Sequence, residues 1–183
     1  MEPTEHNLRA FDERHRQQVQ RVPQHVRDRL PPLDGLRVLL LEGTAATGAE
    51  LAAEGALVTL TSSAPASSGE LPVVQADPAH LPSELLRARF DLVYLEPGSL
   101  GGDLDAIAAG ILQALRPLGW LVVFDRHPAD GAGRDDYFAD WTLGGLVTAV
   151  SQAGLAVKRL EEHPARRDPR VPGEFLLRAE KPQ

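Results

Sequence analysis

The sequence predicts an α/β fold: a doubly wound, mostly parallel seven-stranded sheet ending in an antiparallel hairpin, with helices on both faces. Three observations predict it. Short, nearly unbroken apolar runs recur along the chain, as in strands buried on both faces of a parallel sheet. Segments with apolar residues at helical spacing alternate with those runs, which implies helices covering the sheet. The last two runs, 155–160 and 174–179, have no helical segment between them. They therefore pair antiparallel, because a parallel pair needs a crossover of about a dozen or more residues.

The elements follow in order. Residues 1–34 read as an N-terminal helical segment and residues 35–183 as one globular domain. Over residues 5–22, Leu8, Phe11, His15, Val19 and Val22 recur at helical spacing with charges between them, which reads as an amphipathic helix, and a short helix spans 24–30. Residues 36–41 form the first strand, and 43–48 a loop of small residues. A short helix at 49–54 and a second strand at 57–61 come next. The stretch 62–69 is rich in turn formers, 72–75 is a third strand and 90–95 a fourth. Asp103 caps a helix striped by Leu104, Ile107, Ala108, Ile111, Leu112 and Leu115. Residues 120–124 are the fifth strand and 127–140 a polar loop. Thr142 caps a last helix, with Leu143, Leu146, Val147 and Val150 inward and Gly154 closing it.

Composition narrows the function. A length of 183 residues suits one domain. Apolar residues at 43% suffice for a core, and charged residues at 25% are ordinary. A net charge of −7 opposes generic nucleic-acid binding, which needs a basic surface to displace counterions. The absence of cysteine removes disulfides, thiolate zinc sites and a cysteine nucleophile. His127 and His163 lack metal-ligand spacing, so no metal is expected. The first twenty residues are dense in charge and carry no secretory signal. No apolar run approaches the roughly 20 residues that span a bilayer. The expected location is the cytoplasm.

Open parallel sheets bind ligands beyond the carboxyl ends of their strands, where strand order reverses. That rule points at residues 42–48, 61–63, 77–80 and 96–101. Gly43 and Gly48 have the spacing of a phosphate loop, but Ala49 and Glu50 stand where Lys and Ser or Thr are required. Asp125, Arg126 and His127 follow the fifth strand at the same edge. A histidine there has a pKa suited to accepting a proton from a substrate, although the ordinary reading is a loop residue. Tyr137, Phe138 and Trp141 suit an aromatic lip over a substrate or, more simply, a cap packing the last helix on the core.

The colinear series "LAAEGALVTL" (51–60), "VVQADPAHLP" (73–82), "FDLVYLEPGSL" (90–100), "ILQALRPLGWLVVFDRHP" (111–128) and "FLLRAEKP" (175–182) resembles the class I S-adenosylmethionine-dependent methyltransferases over about residues 35–182. The resemblance implies S-adenosyl-L-methionine as cofactor, held by Glu42, Gly43, Thr44, Gly48, Ser62, Asp77, Pro78 and Glu96. It implies a small-molecule substrate near His127, Tyr137 and Trp141. In the family, closely spaced glycines let the backbone approach the methionine end of the cofactor. Here Glu42 and Ala45 stand where glycines are expected. The acid expected after the second strand is replaced by Ser62, and Leu118 replaces a usual glycine before the fifth strand. Losing one charge-assisted hydrogen bond costs about 1–3 kcal/mol. Two functions are therefore open: a small-molecule methyltransferase, or a non-catalytic module of the same shape kept for binding or assembly. In the second case the N-terminal helix is the expected contact for a protein partner or a second copy.

Overall fold

The computed structural model describes residues 22–63, 71–131, 140–165 and 168–183. Its strands are β1 (Arg37–Leu41), β2 (Leu57–Ser62), β3 (Val73–Gln75), β4 (Phe90–Leu95), β5 (Leu115–Arg126), β6 (Ala156–Pro164) and β7 (Pro172–Glu180). They form one seven-stranded sheet in the order β3-β2-β1-β4-β5-β7-β6. β1 through β5 are parallel to one another. β7 runs antiparallel to both β5 and β6. The order reverses between β1 and β4, so the switch point lies beyond Leu41 and Leu95.

Four α-helices are described: α1 (Gln24–Arg27), α2 (Ala45–Ala53), α3 (Leu104–Ala114) and α4 (Leu143–Gln152). The pleat of the strands feeds two cores. On one face Leu39, Val93 and Val123 meet Ile107 and Ile111 of α3 and Leu146 and Val150 of α4. On the other, Val38, Leu40, Leu92 and Tyr94 meet Leu51 of α2 and Val26 of α1. Val22 and Leu33 belong to that second core, so packing crosses the boundary drawn at residue 34. Arg27 strengthens the join through ion pairs with Glu50 of α2 and Glu54 at its C-cap. The helix expected over residues 5–22 lies, but for Val22, outside the described residues.

Three caps hold as the sequence predicts. Asp103 accepts from Ala106 N at 3.0 Å, Thr142 from Gly145 N at 3.0 Å, and Gly154 closes α4 at φ +105°. One boundary moves. The expected loop at 43–48 is largely helix, because α2 begins at Ala45 with Thr44 as its cap. Thr44 Oγ1 accepts from Thr47 N at 3.2 Å, which satisfies one of the first-turn donors. β5 also begins earlier than its apolar run, since Leu115 pairs with Phe90 across an irregularity before the regular register resumes at Leu92 and Trp120.

Candidate functional site

The carboxyl ends of β1 and β4 adjoin, and the turn after each strand closes on the other. At the end of β1, Glu42 has φ +48°, a left-handed backbone that glycine adopts freely. Its N–H donates to Thr61 Oγ1 at 3.2 Å, and its carboxylate accepts from Ser63 Oγ at 3.0 Å. Gly43 is required by space: a Cβ there would lie 2.2 Å from Leu40 Cγ. Thr44 then starts α2.

Glu96 follows β4 and turns into the first turn of α2. Its Oε1 accepts from Thr44 N, and its Oε2 accepts from Thr47 Oγ1 at 2.5 Å. Thr44 Oγ1 lies 3.1 Å from Thr47 Oγ1, which extends the chain of hydroxyls. Glu96 is 2% exposed and Thr47 1%. Burial pushes the Glu96 carboxyl above the usual carboxylate range, while the hydrogen bonds from Thr47 and Thr44 pull it back down. The partial positive charge of a helix N-terminus favours a carboxylate at this spot.

The turn 96–99 is tied to both neighbouring strands. Ser99 Oγ lies 3.0 Å from Leu41 O and 2.6 Å from Glu96 O. Gly98 N donates to Asp125 Oδ1 at 3.1 Å, as does Arg126 N at 2.6 Å. Asp125 is 1% exposed, and its Oδ2 is buried without a partner among the described residues. Burial pushes its carboxyl up to about 7, against the pull of the Arg126 and Gly98 N–H groups. Two buried carboxyls with raised pKa at one sheet edge mark a site where charge is managed at a cost to stability.

The remaining residues singled out in the sequence divide. Gly48 lies inside α2, where a Cβ would come within 2.6 Å of Leu71 Cδ1. Ser62 ends β2 and holds β3 through its carbonyl, which accepts from Ala76 N at 3.1 Å. Asp77 and Pro78 follow β3. Asp77 folds its carboxylate over its own turn, accepting from Ala79 N at 2.9 Å and lying 3.1 Å from His80 Nδ1. Those contacts, Ala79 first, hold its pKa below the usual value, and its side chain stays 60% exposed. His127 has both ring nitrogens engaged: Nδ1 accepts from Ala129 N at 3.1 Å and Nε2 lies 2.9 Å from Glu162. Trp141 is 7% exposed and packs edge-on against Phe175, with ring centroids 5.8 Å apart. It is a core residue capping α4, the simpler of its two sequence readings. Tyr137 and Phe138 lie outside the described residues.

The edge rule included Thr47 and Ser99 in its segments and Asp125 beside them, but gave none of the three an individual role. Thr44 was not read as a helix cap, so the partners of Thr47 were missed. Among the described residues, no group of three or more His, Asp or Glu is placed to hold a metal ion. No described helix is long and apolar enough to cross a membrane.

At this edge the arrangement is half suited to S-adenosylmethionine. Asp77 presents an exposed carboxylate at the end of β3. At the start of α2 the Thr44 N–H and the Thr47 hydroxyl are taken by Glu96, so a ligand carboxylate would have to compete with that side chain for them.

No model of a protein family matches the sequence, and no curated protein matches it. Solved structures do. The chain is similar to an S-adenosylmethionine-dependent methyltransferase from Mesorhizobium loti, with a TM-score of 0.69 and 19% identity over 86% of this chain and 96% of that one. It is similar to a 1,6-didemethyltoxoflavin-N1-methyltransferase from Burkholderia thailandensis, solved with its substrate and S-adenosylhomocysteine. There the TM-score is 0.61 and the identity 16%, over 82% of this chain and 72% of that one. It is also similar to the [4+2]-cyclase SpnF, at a TM-score of 0.65 and 18% identity, over 86% of this chain and 78% of that one. Strand order, the terminal antiparallel hairpin and these likenesses together establish that the chain has the fold of the class I S-adenosylmethionine-dependent methyltransferases.

Proposed function

We propose that the chain is a methyltransferase that takes S-adenosylmethionine as donor and a small molecule as acceptor, in the cytoplasm. One observation carries the reading: Glu42 and Glu96 directly follow β1 and β4, Ser62 ends β2 and Asp77 lies just past β3, all along a single sheet edge at the switch point where this fold receives a ligand. Glu42, Gly43, Thr44, Ser62, Asp77, Pro78 and Glu96 all lie on that edge. The Mesorhizobium and Burkholderia neighbours support the cofactor, and the toxoflavin-type substrate of the latter supports a small acceptor. Transfer of a methyl group between bound partners relies chiefly on positioning, so a dedicated acid or base is not required. That agrees with a His127 whose ring nitrogens are both engaged.

A second reading is favoured by Glu96. A carboxylate buried on the start of α2 fills the place of a ligand, as expected of a module that has kept the shape and given up the chemistry. The likeness to a chain named as a [4+2]-cyclase supports separating this fold from methyl transfer. A protein partner or second copy would then meet the N-terminal segment.

Thermal unfolding of the full chain with S-adenosylmethionine and with S-adenosylhomocysteine separates the two. A ligand present at 100 times its Kd adds about 2.7 kcal/mol, a rise of several degrees in Tm for a chain of this size. A rise at millimolar ligand is the expected result. An unchanged Tm with both ligands would favour the non-catalytic module.

A further inference from the structure

We infer that Glu96 is an internal plug, a side chain of the protein occupying the anion position of its own ligand site. The inference rests on the proposed cofactor reading and specifies how that site is regulated. Both oxygens of one buried carboxylate are spent on α2: Oε1 on the Thr44 N–H, and Oε2 on the Thr47 hydroxyl. A free amino acid or an amino-acid-bearing cofactor presents the same group, a carboxylate, to the same donors. The Thr44 N–H and the hydroxyl of Thr47, a residue 1% exposed, cannot serve Glu96 and a ligand carboxylate at once.

The plug is carried on a short turn. Glu96 leads into a tight turn with Gly98 at φ +90°, and the turn is pinned from outside by Asp125 Oδ1 on Gly98 N and by Ser99 on Leu41 O. Seating Glu96 also carries a desolvation penalty, since the residue is 2% exposed. A seated carboxylate that strains against its own burial is displaceable by a ligand that brings further contacts with it. The apparent affinity of the site is then the intrinsic affinity reduced by the fraction of molecules in which Glu96 has swung out.

The test is calorimetric titration of the full-length protein with S-adenosylhomocysteine, comparing wild type with Glu96→Gln and Glu96→Ala. Glu96→Gln keeps the shape and removes the charge, so it serves if the smaller residue fails to fold. The plug predicts binding tighter by about tenfold or more in Glu96→Ala, with Glu96→Gln between it and wild type. Equal or weaker binding in both variants, with wild type binding, overturns the plug and leaves the cofactor reading standing. Binding by the variants alone upholds the plug and overturns methyl transfer by the wild-type protein. Failure of all three to bind at millimolar ligand overturns both.

Discussion

The two edges of the sheet meet the same backbone demand and answer it differently. At the carboxyl edge, Glu42 occupies a left-handed turn at φ +48°; at the opposite edge, Leu118 does so at φ +63°. Both stand where the resemblance expects glycine. At the carboxyl edge the side chain is used: Glu42 bonds Ser63, and beside it Glu96 and Asp125 are buried. At the other edge charges stay near the surface. Asp91 pairs with Arg116 at 2.5 Å, and Lys181 Nζ caps the end of α3 with bonds of 2.8 Å to Leu112 O and Leu115 O. Leu118 itself is 48% exposed. One edge therefore stores polar groups away from water, as functional sites do, while the other keeps its charged groups paired closer to solvent.

The largest expected effect tests the stored carboxyls. Asp125 has a folded pKa of about 7 against an ordinary value of 3.8, so the fold favours its protonated form. That contribution is fully present below about pH 4 and is lost as pH rises through about 7, by at most about 4 kcal/mol. Glu96 shifts in the same direction. Urea unfolding of wild type should thus give lower stability at pH 8 than at pH 5, with Asp125→Asn markedly flatter. A wild type that gains stability between those pH values would refute the contrast between the edges. Next in size is Gly43→Ala. Its Cβ would meet three atoms of the fully buried Leu40 side chain at 2.2–2.7 Å. A loss of about 3 kcal/mol is expected, because overpacking of a closed core costs about 1–3 kcal/mol and Leu40 has nowhere to go. A neutral outcome would mean that the β1 turn is softer than its neighbours suggest.

Nearly all of the fold was legible in the sequence, because it rests on local and repeating signals. Apolar runs such as 90–95 and stripes such as Leu104, Ile107, Ala108 and Ile111 announce buried strands and one-faced helices, although Leu115, expected to continue that stripe, begins β5 instead. The caps at Asp103 and Thr142 are local as well. The site was legible only as an address. The edge was foreseen, and Glu96 was placed on it, yet nothing in a linear sequence says that a carboxylate at position 96 reaches a helix start about fifty residues earlier. The N-terminus of α2 was hidden for a related reason: small residues at 45–48 read equally well as loop until Thr44 is seen to cap them. Trp141 and His127 each carried two readings that the linear sequence could not decide between. Aromatic and imidazole side chains after strand five suggest chemistry, whereas Phe175 and Glu162, which engage them, come from distant segments.

The smallest effect is the sharpest test of the comparison, because it sets two left-handed residues, Glu42 and Leu118, directly against each other. Placing a non-glycine residue in that conformation costs about 1–2 kcal/mol. Glycine relieves it but adds back about 0.5–1 kcal/mol of unfolded-chain entropy. Leu118 is held there by its backbone, with Leu118 N donating to Lys181 O and Lys181 N to Gly119 O, both at 2.9 Å. Its half-exposed side chain contributes little, so Leu118→Gly should gain about 0.5 kcal/mol in chemical unfolding. Glu42→Gly wins the same relief but surrenders the 3.0 Å bond from Ser63 Oγ, and should come out neutral or destabilising by about 0.5–1 kcal/mol. If Glu42→Gly instead gained more than Leu118→Gly, the Glu42 carboxylate would be an unused remnant at its turn, and the distinction drawn between the edges would rest on Glu96 and Asp125 alone.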